Sequence, residues 1–197
     1  MNRIQLRPAV FLDRDGVLVE DVDLLTDSKD LRILPGVPGA LNLLKSAGFC
    51  LIMVSNQPVV ARGMISEEQV ANINQDMVEL LVASGAPKLD ALYFCPFHPQ
   101  ANLTEYRQDS DHRKPKPGML LKAAKEHDLD LNSSFMVGDR ITDIIAGARA
   151  GCRCILVETG KHLAPMIQTT EPVDSSNRPN FTCTNLLKAS EWIIQIR

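Results

Sequence analysis

Asp13 and Asp15 stand two positions apart in FLDRDGVL, where the apolar run AVFL gives way to charge. In an extended chain residues i and i+2 face the same side, so both carboxylates can address one ligand. Three further apolar runs lead into reactive residue types. Ser55-Asn56-Gln57 ends the second, and Arg113 and Lys114 lie in the polar segment after the third. Gly138-Asp139-Arg140 closes the fourth, with Asp143 one helical turn beyond. Asp13 and Asp139 offer the hard oxygen ligands that Mg2+ prefers. Lys114 and the Ser55 hydroxyl offer partners for an anion. A divalent metal, a lysine and a hydroxyl around a carboxylate are what phosphoryl transfer needs, because charge on the phosphoryl oxygens has to be neutralised. In this reading Asp13 is the nucleophile and forms an aspartyl-phosphate. Asp15 is the general acid for the leaving oxygen and then the general base for water.

Two rival uses of the opening segment fail on spacing. An EF-hand calcium loop counted from Asp13 needs an oxygen ligand at its fifth position and a Glu at its twelfth. Those positions hold Val17 and Leu24, and the preceding AVFL has strand character rather than helix character. A dinucleotide site needs G-x-G-x-x-G after the first strand, and none follows it.

The elements that must position these residues alternate between strand and helix. AVFL is the first expected strand, followed by a helix in GVPGALNLLKSAG that stops at Gly48. FCLIMVS is the second strand. SEEQVANINQDMVELLVASG is the next helix, with Ser66 as its expected N-cap. LDALYFC, SSFMVGD, CRCILVETG and NFTCT supply further strands; PGMLLKAAKEHDL, ITDIIAGARAG and NLLKASEWIIQI supply further helices. Such alternation predicts an α/β fold with a central parallel sheet and helices on both faces. In such sheets ligands bind outside the carboxyl ends of the strands, which is the rim where the reactive residues fall. The chain is expected to form one domain over 1–197, with a surface loop from Ala164 to Pro179.

Composition sets the outer limits. The formal net charge of -3 favours neither nucleic acid nor an anionic membrane. The first apolar run ends in charge far short of the roughly 18 residues needed to span a bilayer, so a cytoplasmic protein is expected. Five cysteines without a disulfide spacing point to buried free thiols at Cys50, Cys152, Cys154 and Cys183. No heptad or apolar stripe calls for a partner, and a monomer is the expectation.

With those residues in place, the chain resembles the haloacid dehalogenase (HAD) superfamily of phosphohydrolases. The matching segments are DRDGV, SNQ, RKPKPG and GDRITD, in that order, between about Ala9 and Gly160. SNQPVVARG, CPFHPQ and HRKPKPGML resemble more narrowly the D-glycero-D-manno-heptose 1,7-bisphosphate 7-phosphatases, with histidinol-phosphate phosphatases as close relatives. The resemblance implies a Rossmann-like three-layer fold without a full cap domain. It implies Mg2+ on Asp13, the Asp15 backbone carbonyl and Asp139, and Ser55 and Lys114 on the transferring phosphoryl group. Asn56, Gln57, Arg113 and Arg140 match positions that line the substrate pocket, and Arg62 is a further candidate contact.

The chain departs from these relatives in three places. Arg140 stands where they usually carry Lys, which exchanges a point charge for a planar fork. Their zinc loop, C-x-H followed by C-x-C, here reads Cys95, Phe97, Ser110 and His112. Zinc needs four N or S ligands for a structural site, so the loop is expected to be metal-free and held by Phe97 and Tyr106. The improvised alternative would use Cys95, His98 and His112 with Asp109 or Asp111. Finally, DVDLLTD replaces a segment that helps select the sugar. The expected activity is Mg2+-dependent hydrolysis of a small sugar phosphate. The alternatives are a histidinol-phosphate phosphatase and, in another class, a non-catalytic phosphometabolite-binding module.

Overall fold

The computed structural model describes residues 6–161 and 178–197. Most of the expected loop from Ala164 to Pro179 lies outside the described residues. The strands are β1 (Ala9–Leu12), β2 (Cys50–Asn56), β3 (Ala91–Cys95), β4 (Phe135–Gly138), β5 (Arg153–Val157) and β6 (Phe181–Cys183). They form one parallel sheet in the order β3-β2-β1-β4-β5-β6. The helices are α1 (Val37–Ser46), α2 (Pro58–Ala61), α3 (Glu67–Ala83), α4 (Gly118–Glu126), α5 (Ile141–Ala150) and α6 (Leu186–Gln195). The chain is therefore the expected three-layer α/β fold.

Both faces of the sheet are covered, which explains why its central strands are apolar runs rather than alternating ones. Strand period then divides the core in two. Val10, Leu12, Leu51 and Met53 pack with Leu41 and Leu44 of α1, Met77 and Leu81 of α3, and Ile193 of α6. Ala9, Phe11, Ile52 and Val54 face the other way, onto Met119 and Leu120 of α4 and Ile144 of α5. Helix α3 starts as expected at Ser66, whose Oγ accepts from the Gln69 backbone N–H while the Gln69 side chain accepts from the Ser66 N–H. All five cysteines are buried free thiols.

Sheet order fixes the position of the site. The chain runs outward through β1, β2 and β3, then returns to place β4 on the other side of β1. The carboxyl ends of β1 and β4 are thus the switch point at which open α/β sheets bind ligands. The two ends are tied at that level, since the Asp13 N–H donates to the Val137 carbonyl at 3.0 Å. One difference from the sequence reading is α2. Its Pro58 sits at the first turn, where a missing N–H costs nothing, but its four residues are too short to show a helical period. Among the described residues, no helix is long and apolar enough to cross a membrane.

Candidate active site

Asp13 follows β1 and Asp139 follows β4, so neighbouring strands deliver two carboxylates side by side. Asp143, in the first turn of α5, is the third. Oxygens of Asp13, Asp139 and Asp143 lie within 4.8 Å of one another. All three are buried, and Asp139 is 0% exposed. Lys114 is the buried cation in contact with this group. Its Nζ is 2.9 Å from Asp13 Oδ1 and 2.7 Å from Asp143 Oδ1, and it donates to the Val54 carbonyl at 2.8 Å. Both carboxylate contacts are close ion pairs.

The Lys114 ammonium, with the Arg140 guanidinium 4.0 Å from Asp139 Oδ2, stands against three carboxylates, so the cluster is short of positive charge. Burial raises the Asp13 pKa, and Asp143 adds to this while Lys114 opposes it. Burial, with Asp13 and Asp143 adding repulsion, pushes Asp139 up to about 8. Burial alone would lower the Lys114 pKa, but Asp13 and Asp143 outweigh it and hold the ammonium above its usual value. Asp139 is also half-satisfied: Oδ2 accepts from the Lys161 N–H at 2.6 Å, whereas Oδ1 is buried with no hydrogen-bond partner among the described residues. Glycines make the space around it. A Cβ on Gly16 would stand 2.7 Å from the Asp139 carboxylate, and one on Gly160 would stand 2.2 Å from Oδ2. Gly16 also has φ +79°, which lets the chain turn behind the aspartate pair. An orphaned buried oxygen inside an all-carboxylate group is the donor set of a hard divalent cation. The residues fit Mg2+.

The remaining expected site residues divide by where their polar atoms go. Ser55 is buried at the end of β2, and its Oγ accepts from Gln57 Nε2 at 2.8 Å. Gln57 is buried and uses both amide hydrogens: its Nε2 also donates to Asp15 Oδ2 at 3.1 Å, and its Oε1 accepts from Arg14. Asn56 clamps the backbone of Lys114, accepting from its N–H at 3.0 Å and donating to its carbonyl at 2.9 Å. Pocket lining is the expectation for both residues; in the structure their amides bond Asp15 and the backbone of Lys114. The Asp15 carboxylate stands outside the three-carboxylate group, held by Arg14.

Arg113 lies on the rim, donating to the Phe97 carbonyl at 3.3 Å, and forms no ion pair among the described residues. Burial lowers its pKa, and the charges of Arg62 and Arg140 add to this. Arg140 donates to Asp21 Oδ2 at 3.0 Å, and Lys161 stands 3.2 Å from Asp21 Oδ1 and also pairs with Asp23. Of the candidate zinc donors, Cys95 Sγ faces the Phe97 carbonyl at 4.0 Å, and His98 Nδ1 accepts from the Gln100 N–H at 3.0 Å. Phe97 and Tyr106 pack with ring centroids 5.8 Å apart. Sequence reasoning left two residues of this site without a role. Asp143 was visible in GDRITD at the spacing of one helical turn, but it was assigned nothing. Arg14 carried no signal, because an arginine between two aspartates reads as solvated.

Comparison with known proteins identifies the family. The HAD-hydrolase-like family model matches residues 112–189. A D-glycero-D-manno-heptose-1,7-bisphosphate 7-phosphatase of Thermosynechococcus vestitus is 41% identical over 190 residues, covering 95% of each chain. A D-glycero-beta-D-manno-heptose-1,7-bisphosphate 7-phosphatase of Photorhabdus laumondii is 42% identical over 188 residues, 94% of this chain and 96% of its own. Among solved structures, the D,D-heptose 1,7-bisphosphate phosphatase of B. bronchiseptica, crystallised with magnesium and phosphate, superposes with a TM-score of 0.80 at 30% identity. That match covers 96% of this chain and 99% of the other. Fold, strand-end carboxylates and relatives converge: the chain belongs to the HAD-like phosphohydrolases and is a phosphoric monoester hydrolase.

Proposed function

We propose that the chain is one HAD-like domain over 1–197 that removes the 7-phosphate of D-glycero-D-manno-heptose 1,7-bisphosphate through an aspartyl-phosphate on Asp13. The observation that carries the chemistry is the buried trio of Asp13, Asp139 and Asp143 around Lys114, with Asp139 Oδ1 unpartnered. Asp13 attacks phosphorus while the bond to the sugar oxygen breaks, and that oxygen takes a proton from Asp15. Water then attacks phosphorus, its proton passes to Asp15, and the Asp13–phosphorus bond breaks. Lys114 and the Ser55 hydroxyl hold phosphoryl oxygens during both displacements. Mg2+ held by Asp13, Asp139 and Asp143, with the Asp15 carbonyl, would neutralise charge on the same oxygens.

The choice of a bisphosphate rests on the relatives and on the rim. Arg113, which forms no ion pair among the described residues and feels the charges of Arg62 and Arg140, suits a second phosphate at a distance from the first. On this reading the protein acts as a monomer in the cytoplasm on a small phosphorylated sugar. The test is a rate comparison on heptose 1,7-bisphosphate, histidinol phosphate and simple hexose phosphates with Mg2+, using Asp13→Asn as control. The heptose bisphosphate should have the highest kcat/KM. A preference for histidinol phosphate would overturn the substrate assignment. Absence of Mg2+-dependent phosphate release from every compound would overturn the enzymatic reading and favour a binding module.

A further inference from the structure

Arg14 is 1% exposed, although it lies between two aspartates at the mouth of the site. Four of the five N–H donors of its guanidinium have named partners. Nε donates to Asp15 Oδ1 at 3.1 Å and Nη2 to Asp15 Oδ2 at 2.9 Å, a bidentate fork. Nη2 also donates to Gln57 Oε1 at 3.0 Å, and Nη1 to Asn74 Oδ1 at 3.0 Å. Asn74 is itself 2% exposed, on the face of α3 that also carries Ile73 and Met77. A buried amide on an apolar helix face costs free energy unless it is bonded, and Arg14 is its partner. The network thus runs from the α3 core through Arg14 to Asp15, with Gln57 tying Asp15 to Ser55.

This arrangement constrains the acid/base. Asp15 has a side chain 25% exposed, so part of it faces the ligand space while both oxygens are gripped from behind. Its Oδ1 accepts one hydrogen bond and its Oδ2 two, which leaves a free lone pair on Oδ1 for the proton in transit. A fork fixes both the position and the plane of a carboxylate; a single-point ammonium fixes neither. We propose that Arg14 is a positioning residue for proton transfer by Asp15, anchored to the fold through Asn74 of α3. The proposal rests on the phosphatase reading above.

The two chemical steps separate this role from a merely structural one. Transfer to Asp13 from an activated donor needs no acid, because p-nitrophenolate and acetate leave without a proton. Release of an alkoxide, and attack by water on the aspartyl-phosphate, both need Asp15. General acid–base catalysis contributes about 10²–10⁴-fold, so misplacing the group should forfeit a part of this. Arg14→Gln is expected to lower kcat on heptose 1,7-bisphosphate about 10- to 100-fold. With p-nitrophenyl phosphate or acetyl phosphate, whichever the wild type turns over faster, the first-turnover rate of phosphoprotein formation should change less than about threefold. Acid quench should then trap close to one equivalent of phosphoprotein, because its breakdown is slowed. Arg14→Lys, which keeps the charge and loses the fork, should resemble Arg14→Gln. Asn74→Ala should show the same pattern at about 3- to 10-fold, and it keeps the test valid if Arg14 variants fail to fold. Equal loss of first-turnover and alkyl-phosphate rates in all soluble variants would overturn the proposal, as would full rescue by Arg14→Lys. A wild type inactive on every substrate would instead overturn the phosphatase reading and the proposal with it.

Discussion

Asp139→Asn isolates the electrostatic cost of the carboxylate cluster. Burial and the neighbouring Asp13 and Asp143 raise the Asp139 pKa from 3.8 to about 8. A raised folded-state pKa means that the native protein holds a proton that the unfolded chain has released between those two values. The stability tied to that proton is fully present below about pH 4 and is lost as pH rises through about 8. At about 1.4 kcal/mol per pH unit the whole interval amounts to ~6 kcal/mol. Asp13 and Asp143 carry part of the same repulsion, so removing one charge should recover about half, ~3 kcal/mol at pH 8.5. For a chain of this size that is a rise in Tm of roughly 6–12 °C. The assay is thermal unfolding in EDTA at pH 8.5 and at pH 5, where the difference should shrink. Millimolar Mg2+ should raise the Tm of the wild type and not that of the variant, which should also lose phosphatase activity. An EDTA-treated variant less stable than wild type at pH 8.5, or a difference independent of pH, would refute the reasoning.

Other perturbations bear on the same cluster. Lys114→Met removes the buried cation paired with Asp13 and Asp143, and breaking such a pair costs about 3–5 kcal/mol; urea unfolding should show that loss without Mg2+ and a smaller one with it. Gly160→Ala places a Cβ 2.2 Å from Asp139 Oδ2. The displaced carboxylate should raise the Mg2+ concentration for half-maximal activity, and overpacking should lower stability by about 1–3 kcal/mol. Elemental analysis should find no stoichiometric zinc, since Cys95 faces a backbone carbonyl and the His98 ring is engaged by the Gln100 N–H. One equivalent of zinc would show that the loop after β3 does assemble a site.

The fold was legible because strand and helix periods are local. AVFL, CLIMVSN and FMVG are apolar on both faces, and Ser66 announces α3 by its cap. The positions of Asp13, Ser55 and Asp139 followed from one topological rule about strand ends, whereas Lys114 lies well beyond β3 and is brought in by the segment that Asn56 clamps. What escaped depends on long-range partners. Arg14 is buried only because Gln57 and Asn74, the latter sixty positions away, turn amides toward it. No local signal shows that Asn56 bonds the Lys114 backbone or that Gln57 bonds Asp15. The Asp21 link between Arg140 and Lys161 joins segments far apart in sequence, and no period or motif encodes it.

The most direct test of the account is 31P NMR of D-glycero-D-manno-heptose 1,7-bisphosphate during turnover with Mg2+. The expected result is loss of the 7-phosphate resonance, growth of inorganic phosphate and persistence of the 1-phosphate, all abolished by Asp13→Asn. Loss of the 1-phosphate first, or turnover that survives Asp13→Asn, would contradict it.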